Sequence, residues 1–159
     1  MKIVLLIQCC IVVTCASAQQ TGISHTLLKE TKAAFVRQVK KECDSFPVHL
    51  NDSLAKSKIG FFNRDFQTQL FRKAQSVSYW YCLDRFADNR LLYFEVVSFY
   101  FTNQAEKNAL VSKITASGRK ILRNKVMVGF KIKEASNELA IIYSSSSLHP
   151  QIKAFFEAY

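Results

Sequence analysis

Glycine and proline are scarce in this chain, with 4 and 2 of them among 159 residues. Turns between β-strands usually draw on both residue types, so this scarcity disfavours an all-β domain and favours helices. The chain is also too apolar for a disordered protein, since 49% of its residues are hydrophobic. Its length suits one domain with a substantial core. The sequence therefore predicts a single compact helical domain.

Residues 1–18 have the features of a secretory signal peptide. Lys2 precedes an apolar stretch from Ile3 to Val13, and Ala16-Ser17-Ala18 has the A-x-A form of a cleavage site. The apolar stretch is shorter than the roughly 20 residues that a membrane span requires. We therefore expect cleavage after Ala18, a single helical domain over 19–159, and secretion or storage in a secretory vesicle.

Removal of that segment would leave two cysteines, Cys43 and Cys82. If Cys43 ends a first helix and Cys82 lies near the far end of a long second helix, about 45 Å would separate them at helical rise. A disulfide requires Cα atoms within about 7 Å. On this interpretation both cysteines are buried free thiols.

Apolar residues recur at helical spacing through most of the chain. Leu28, Phe35 and Val39 form one stripe within 23–46, and Pro47 ends that helix. The segment 53–86 contains no proline and predicts a second helix roughly 50 Å long. Its stripe comprises Ile59, Phe62, Phe66, Leu70, Val77 and Tyr81.

The segment Leu91–Phe101 is apolar on nearly every side, and periodicity alone does not separate strand from helix there. Its neighbours favour a central core helix, and the alternative is a segment that inserts into a membrane. A further stripe from Val128 to Ile142 and a last helix from Pro150 complete the pattern. We therefore expect an all-α fold, an up-and-down bundle of about five helices with one long central helix.

No motif of known catalysis or metal binding occurs. The chain lacks H-E-x-x-H, C-x-x-C, G-x-S-x-G and Gly-rich phosphate loops. Glu95 is the one carboxylate that stands within a long apolar run, and a structural role is the simpler interpretation. Asn51-Asp52-Ser53 is a glycosylation sequon. We expect no catalytic residue, no metal, no cofactor and no enzymatic activity.

The formal net charge of +10 predicts an anionic partner. Between Lys107 and Lys133 the basic residues are not interrupted by any acid, and secretion argues against nucleic acid as the partner. The candidate residues for binding an anionic surface are Lys107, Lys113, Arg119, Lys120, Arg123 and Lys125.

Several short segments resemble the abalone sperm lysin family. The best match is Phe62-Asn63-Arg64-Asp65-Phe66, and it is supported by Phe35-x-Arg37 and by His149-Pro150-x-Ile152 before an aromatic final helix. The resemblance implies a bundle of about five helices and storage in the sperm acrosome. The two cysteines, the apolar Leu91–Phe101 and the high aromatic content make the chain more similar to the fusagenic acrosomal branch of that family than to lysin itself.

The fusagenic branch implies a non-enzymatic sperm protein that binds and disrupts or fuses membranes at fertilization, with the anionic egg plasma membrane as partner. The lysin branch implies the alternative, a stoichiometric and non-enzymatic dissolution of the egg vitelline envelope through its glycoprotein, and it leaves a homodimer open. A cationic membrane-lytic defence protein fits the composition but not the resemblance. Exposed aromatic side chains would enter the membrane. The candidates are Phe61, Phe71, Tyr79, Tyr93, Phe94 and Phe99.

Overall fold

The chain folds into helices packed on both faces of an antiparallel β-sheet. A computed structural model describes residues 23–39, 49–50, 53–124, 129–145 and 149–159. The helices are α1 (Thr26–Val39), α2 (Ser53–Asp65), a short 3-10 helix (Leu70–Lys73), α3 (Gln104–Asn124) and α4 (Pro150–Ala158). The strands are β1 (His49–Leu50), β2 (Ser76–Arg85), β3 (Leu91–Tyr100), β4 (Gly129–Glu134) and β5 (Glu138–Ser144). The predicted all-α bundle is therefore wrong, and the fold is α+β.

The sheet has the strand order β1-β2-β3-β5-β4, and every neighbouring pair is antiparallel. Short turns join β2 to β3 and β4 to β5, whereas α3 carries the chain from the end of β3 to the start of β4. In the register, Trp80 lies opposite Val96, and Val96 lies opposite Ile142. The strand β3 is thus the centre of the sheet.

Alternate residues of the strands supply two separate cores. On the first face, Trp80, Phe94 and Ile142 pack with α1 and α4. On the second face, Val97 and Ile141 pack with α2, the 3-10 helix and α3. Because both faces are covered, the helices bury the whole middle of the sheet.

The helix predicted over Leu91–Phe101 is wrong, and the covered sheet explains the error. The segment forms the central strand β3, in which the residues from Phe94 to Phe99 are all buried. A strand that is buried on both faces shows a continuous apolar run instead of alternation. The period-2 signal that identifies a half-exposed strand is therefore missing.

The long helix predicted over 53–86 is also wrong. The helix α2 ends at Asp65, the next residues form a turn in which Thr68 N–H donates to the Asn63 carbonyl at 3.0 Å, and β2 begins at Ser76. The stripe predicted from Val128 to Ile142 belongs to the β4–β5 hairpin instead. A helix within 23–46 and a last helix from Pro150 are confirmed by α1 and α4.

Cys82 is disulfide-bonded, so the predicted free thiol is wrong at this position. The distance of about 45 Å assumed a long helix, whereas Cys82 lies on β2 within the first-face core. Cys43, the signal-peptide residues 1–18 and the Asn51 sequon lie outside the described residues.

In the described part of the chain, no helix combines the length and the apolar character that crossing a bilayer requires.

Candidate functional site

A tight turn closes the β2–β3 hairpin. Asn89 adopts a positive φ of 69°, a region that Asn tolerates better than most residues. Phe86 N–H donates to the Arg90 carbonyl at 2.9 Å, and the Arg90 guanidinium lies 2.5 Å from the Asp88 carboxylate. The hydrogen bond from Arg90 holds the pKa of Asp88 below its usual value. These contacts fix the shape of the tip.

Two leucines are exposed beside this turn. Leu83 in β2 is 50% exposed and Leu91 in β3 is 54% exposed, and they are the large hydrophobic residues that stand out as exposed among the described side chains. Leu91 lies opposite Arg85, and Leu83 lies opposite Tyr93. Cross-strand neighbours share one face of a sheet. Leu83 and Leu91 are therefore diagonal neighbours across the two strands, on the second face of the sheet. We call this small apolar patch the leucine patch.

Further along the same face, tyrosines surround a buried carboxylate. Glu95 is fully buried in β3, with Tyr81 opposite it on β2 and Tyr143 opposite it on β5. Tyr93 donates a hydrogen bond to Glu95, and Lys58 of α2 places its Nζ 2.5 Å from Glu95 Oε1. Lys58, Tyr79, Tyr81, Tyr93, Glu95 and Tyr143 make up what we call the Glu95 cluster.

Burial is the main influence on the pKa values of two tyrosines in the Glu95 cluster. Loss of solvent raises the pKa of Tyr93 and of Tyr143, and the neighbouring Glu95 carboxylate raises both further. Both phenols therefore stay protonated and act as hydrogen-bond donors. The ammonium of Lys58 supplies the charge that compensates the buried carboxylate.

The last turns of α3 lie at the same end of the sheet as the leucine patch. Gly129 begins β4 opposite Ser144, which in turn lies opposite Phe94 near the start of β3. Asn124 ends α3 only five residue steps before Gly129, so at most about 18 Å of extended chain separates them. Earlier in α3, Leu110 and Ile114 pack into the second-face core. The basic end of α3 and the leucine patch thus share one face and one end.

The basic residues predicted to bind an anionic surface differ in their exposure to solvent. Lys107 is buried, with its Nζ 2.7 Å from the Ala135 carbonyl and 3.5 Å from Glu134, so its assignment to an anionic surface is wrong. Lys113 is exposed on α3. Arg119, Lys120 and Arg123 lie in the last turns of α3, but their side chains are outside the described part, as is all of Lys125.

Most predicted membrane-contact aromatics belong to the cores. Phe71, Tyr79 and Phe99 are buried on the second face, and Phe94 is buried on the first, because a sheet covered on both faces needs two sets of large side chains. Burial therefore removes these four from contact with a membrane in this fold. Phe61 and Tyr93 are partly exposed.

Sequence reasoning missed Leu83 and Leu91 because both were assigned to predicted helices. A signal was present: Asp88-Asn89 separates two segments rich in β-branched and aromatic residues. Short Asp- and Asn-containing turns between such segments are typical of hairpins. Interpreted in that way, the sequence places both leucines beside a turn.

A second buried polar cluster joins α1 to the first face. His25 Nδ1 lies 2.8 Å from Ser98 Oγ, and its Nε2 lies 3.0 Å from Ser76 Oγ. Ser98 donates to Glu138 at 2.6 Å, and Glu138 accepts the backbone N–H of Leu27 at 3.0 Å. All these side chains are buried. Although Ser, His and Glu occur together, a substrate has no access, and the arrangement ties the start of α1 to the sheet.

No group of three or more His, Cys, Asp or Glu side chains in the described ranges could hold a metal ion. No protein-family model, curated protein or solved structure matches the chain.

Proposed function

We propose that this protein binds anionic membrane surfaces peripherally, through the end of the sheet that carries the leucine patch and the last turns of α3. The observation that carries the proposal is the exposure of Leu83 and Leu91, 50% and 54%, on a hairpin whose turn is held by a hydrogen bond and an ion pair. Exposed leucines beside a turn gain free energy when they enter the headgroup region of a bilayer.

The attraction to the membrane comes from the surface charge outside the hairpin. The hairpin itself carries Asp84 and Asp88 as well as Arg85 and Arg90. Elsewhere in the described part of the chain, three acidic side chains are buried: Asp65, Glu95 and Glu138. Among the described lysine and arginine side chains, Lys107 alone is buried. The surface is therefore more basic than the composition alone indicates.

Binding then has two steps. Basic side chains draw the protein to acidic lipid, each contributing about 1 kcal/mol near the surface. Leu83 and Leu91 enter the interface once the hairpin end reaches it. Because most aromatics are used by the two cores, this mode needs no unfolding. Fusion of bilayers, an acrosomal role and action on the vitelline envelope remain predictions from the family resemblance.

Cosedimentation with vesicles tests the proposal. Vesicles of phosphatidylserine and phosphatidylcholine should carry the protein into the pellet at low salt, and vesicles of phosphatidylcholine alone should carry much less. Binding should weaken as salt rises, because ions screen the attraction. Equal binding to both vesicle types, or no binding to either at low salt, would contradict the proposal.

A further inference from the structure

The Glu95 cluster is built around an ammonium group. The Nζ of Lys58 lies 2.5 Å from Glu95 Oε1, 3.4 Å from the hydroxyl of Tyr143 and 5.5 Å from the ring centroid of Tyr79. Tyr81 stacks against Tyr79 with ring centroids 5.9 Å apart. A cation thus meets a carboxylate, a hydroxyl and an aromatic ring face at once.

This combination is the one that recognises organic ammonium ions. Aromatic faces attract cations through their quadrupole, and the attraction grows when water is excluded. A carboxylate that is buried without a cation is costly, so the site strongly favours an occupied state. A primary ammonium also supplies three donors, which match the carboxylate and hydroxyl oxygens around it.

The occupant enters from the solvent side. Lys58 extends from α2, and its side chain remains 22% exposed while Glu95 is only 1% exposed. Tyr81 and Tyr93 are partly exposed, and Leu83 follows Tyr81 on the same face of β2. The cluster therefore has a buried end at Glu95 and an open end that leads to the leucine patch.

We propose that the Glu95 cluster is a binding site for primary alkylammonium ions, in which the ligand takes the place of the Lys58 ammonium. The head of the ligand binds Glu95 and Tyr143, and its alkyl chain points past Tyr93 toward Leu83, which lies opposite Tyr93 on β2. Lys58 leaves by swinging its flexible side chain into solvent, as long cationic side chains readily do. This site does not depend on membrane binding.

Lys58 competes with any ligand from within the molecule. The apparent affinity of the wild-type protein is lowered by the small fraction of time for which the lysine is out of the site. Lys58→Ala removes the competitor and leaves the Glu95 carboxylate in need of a cation. We therefore expect this variant to bind n-pentylammonium at least about tenfold more tightly than the wild-type protein does.

The test uses thermal unfolding followed by the emission of Trp80, which is fully buried on the opposite face and so reports unfolding, not ligand contact. Lys58→Ala should unfold at a lower temperature than the wild-type protein. Millimolar n-propylammonium chloride should restore the midpoint, whereas 1-propanol with matched sodium chloride should not. The double variant Lys58→Ala/Glu95→Gln should not respond to the ammonium ion.

Chain length gives a second and independent measurement. Each additional CH₂ of the ligand that becomes buried should tighten binding by about fourfold, so n-pentylammonium should bind better than n-propylammonium. Leu83→Thr should remove that gain and leave propylammonium binding unchanged.

The proposal is overturned if folded Lys58→Ala shows no stabilisation specific to ammonium, or if the Glu95→Gln double variant responds equally. If Lys58→Ala does not fold alone, n-propylammonium added during refolding should restore the folded protein. Failure to recover folded protein under those conditions contradicts the proposal. None of these outcomes requires vesicles, so they are separate from the test of membrane binding.

Discussion

Leu91 and Arg85 lie directly opposite each other at the end of the β2–β3 hairpin, and both side chains are exposed. Their pairing sets an apolar and a cationic group side by side on the face that α3 also covers. Such a pair is suited to a membrane interface, where the leucine enters the acyl boundary while the guanidinium, which donates to the Asn89 carbonyl at 3.0 Å, stays at the level of the headgroups.

The basic end of α3 should supply most of the attraction to acidic lipid. Arg119→Gln/Lys120→Gln/Arg123→Gln removes three charges, each contributing about 1 kcal/mol near the surface, and should weaken binding to phosphatidylserine vesicles by at least tenfold at low salt. Vesicle cosedimentation measures the change.

A control variant removes two charges at the opposite end of β2. Arg72 and Lys73 are exposed in the 3-10 helix, which precedes the start of that strand. Arg72→Gln/Lys73→Gln should leave vesicle binding nearly unchanged. An equal loss of binding free energy per charge removed in the two variants would indicate attraction by net charge alone, without an oriented docking surface.

The disulfide at Cys82 should join it to Cys43, since cleavage of the predicted signal peptide would leave only these two cysteines. Intact mass under non-reducing conditions should be 2 Da lower than after reduction, as one bridge requires. Peptide mapping should identify the 43–82 pair. Because a bridge of this kind stabilises a small domain by about 2–4 kcal/mol, reduction should lower the unfolding temperature. Two free thiols in the native monomer would contradict this pairing.

The sequence predicted the helices at both ends of the domain but not the sheet between them. Pro150 marks the start of α4 by a local rule that the fold does not override. The strands β3 and β5 are buried on both faces, so their apolar runs have no period of two. The tertiary fold decides which helices cover each face of the sheet. A local sequence pattern does not carry that information.

The candidate site was predictable only in part for the same reason. Basic residues near the end of α3 are visible as a run without acids, but Lys107 in that run is buried against the β4–β5 turn. The pairing of Glu95 with Lys58 joins residues 37 positions apart, and it depends on how α2 crosses the sheet. No local motif predicts such a contact.

His25 should make the protein less stable in mild acid. Burial lowers the pKa of His25 below 6.5, although Glu138 opposes the shift and Lys29 adds to it. The unfolded chain therefore binds a proton more readily than the folded one does. The free energy of unfolding should be intact above about pH 6.5 and should fall as the pH drops below that value.

Urea unfolding at pH 7.5 and pH 5.5 measures this effect. His25→Gln should be less stable at both values, since it loses contacts to Ser76 and Ser98, but should show a smaller difference between them. His149→Gln, which changes a histidine on the helix α4 cap, serves as the comparison. An unchanged pH difference in His25→Gln would contradict the assignment to His25.

Glu138 should stabilise the start of α1 through its charge. Its carboxylate accepts the Leu27 N–H in the first turn of the helix and the hydroxyl of Ser98. Glu138→Gln removes the charge and replaces one accepting oxygen with an NH₂ group, which faces the Leu27 N–H or the Ser98 hydroxyl without accepting from it. We therefore expect a loss of about 1–3 kcal/mol in the free energy of unfolding. Chemical unfolding measures the loss, and a variant as stable as the wild-type protein would show that the carboxylate charge has no such role.

The leucine patch provides the most direct test of membrane docking. The measurement is the ratio of partition coefficients on phosphatidylserine-containing vesicles between the wild-type protein and Leu83→Thr/Leu91→Thr, a change that keeps residues suited to a strand. Each half-exposed leucine should contribute roughly 1 kcal/mol on insertion, so the ratio should be about tenfold or more. Leu83→Phe/Leu91→Phe should bind at least as well as the wild-type protein. Equal partitioning of the wild-type protein and the folded threonine variant would contradict the account.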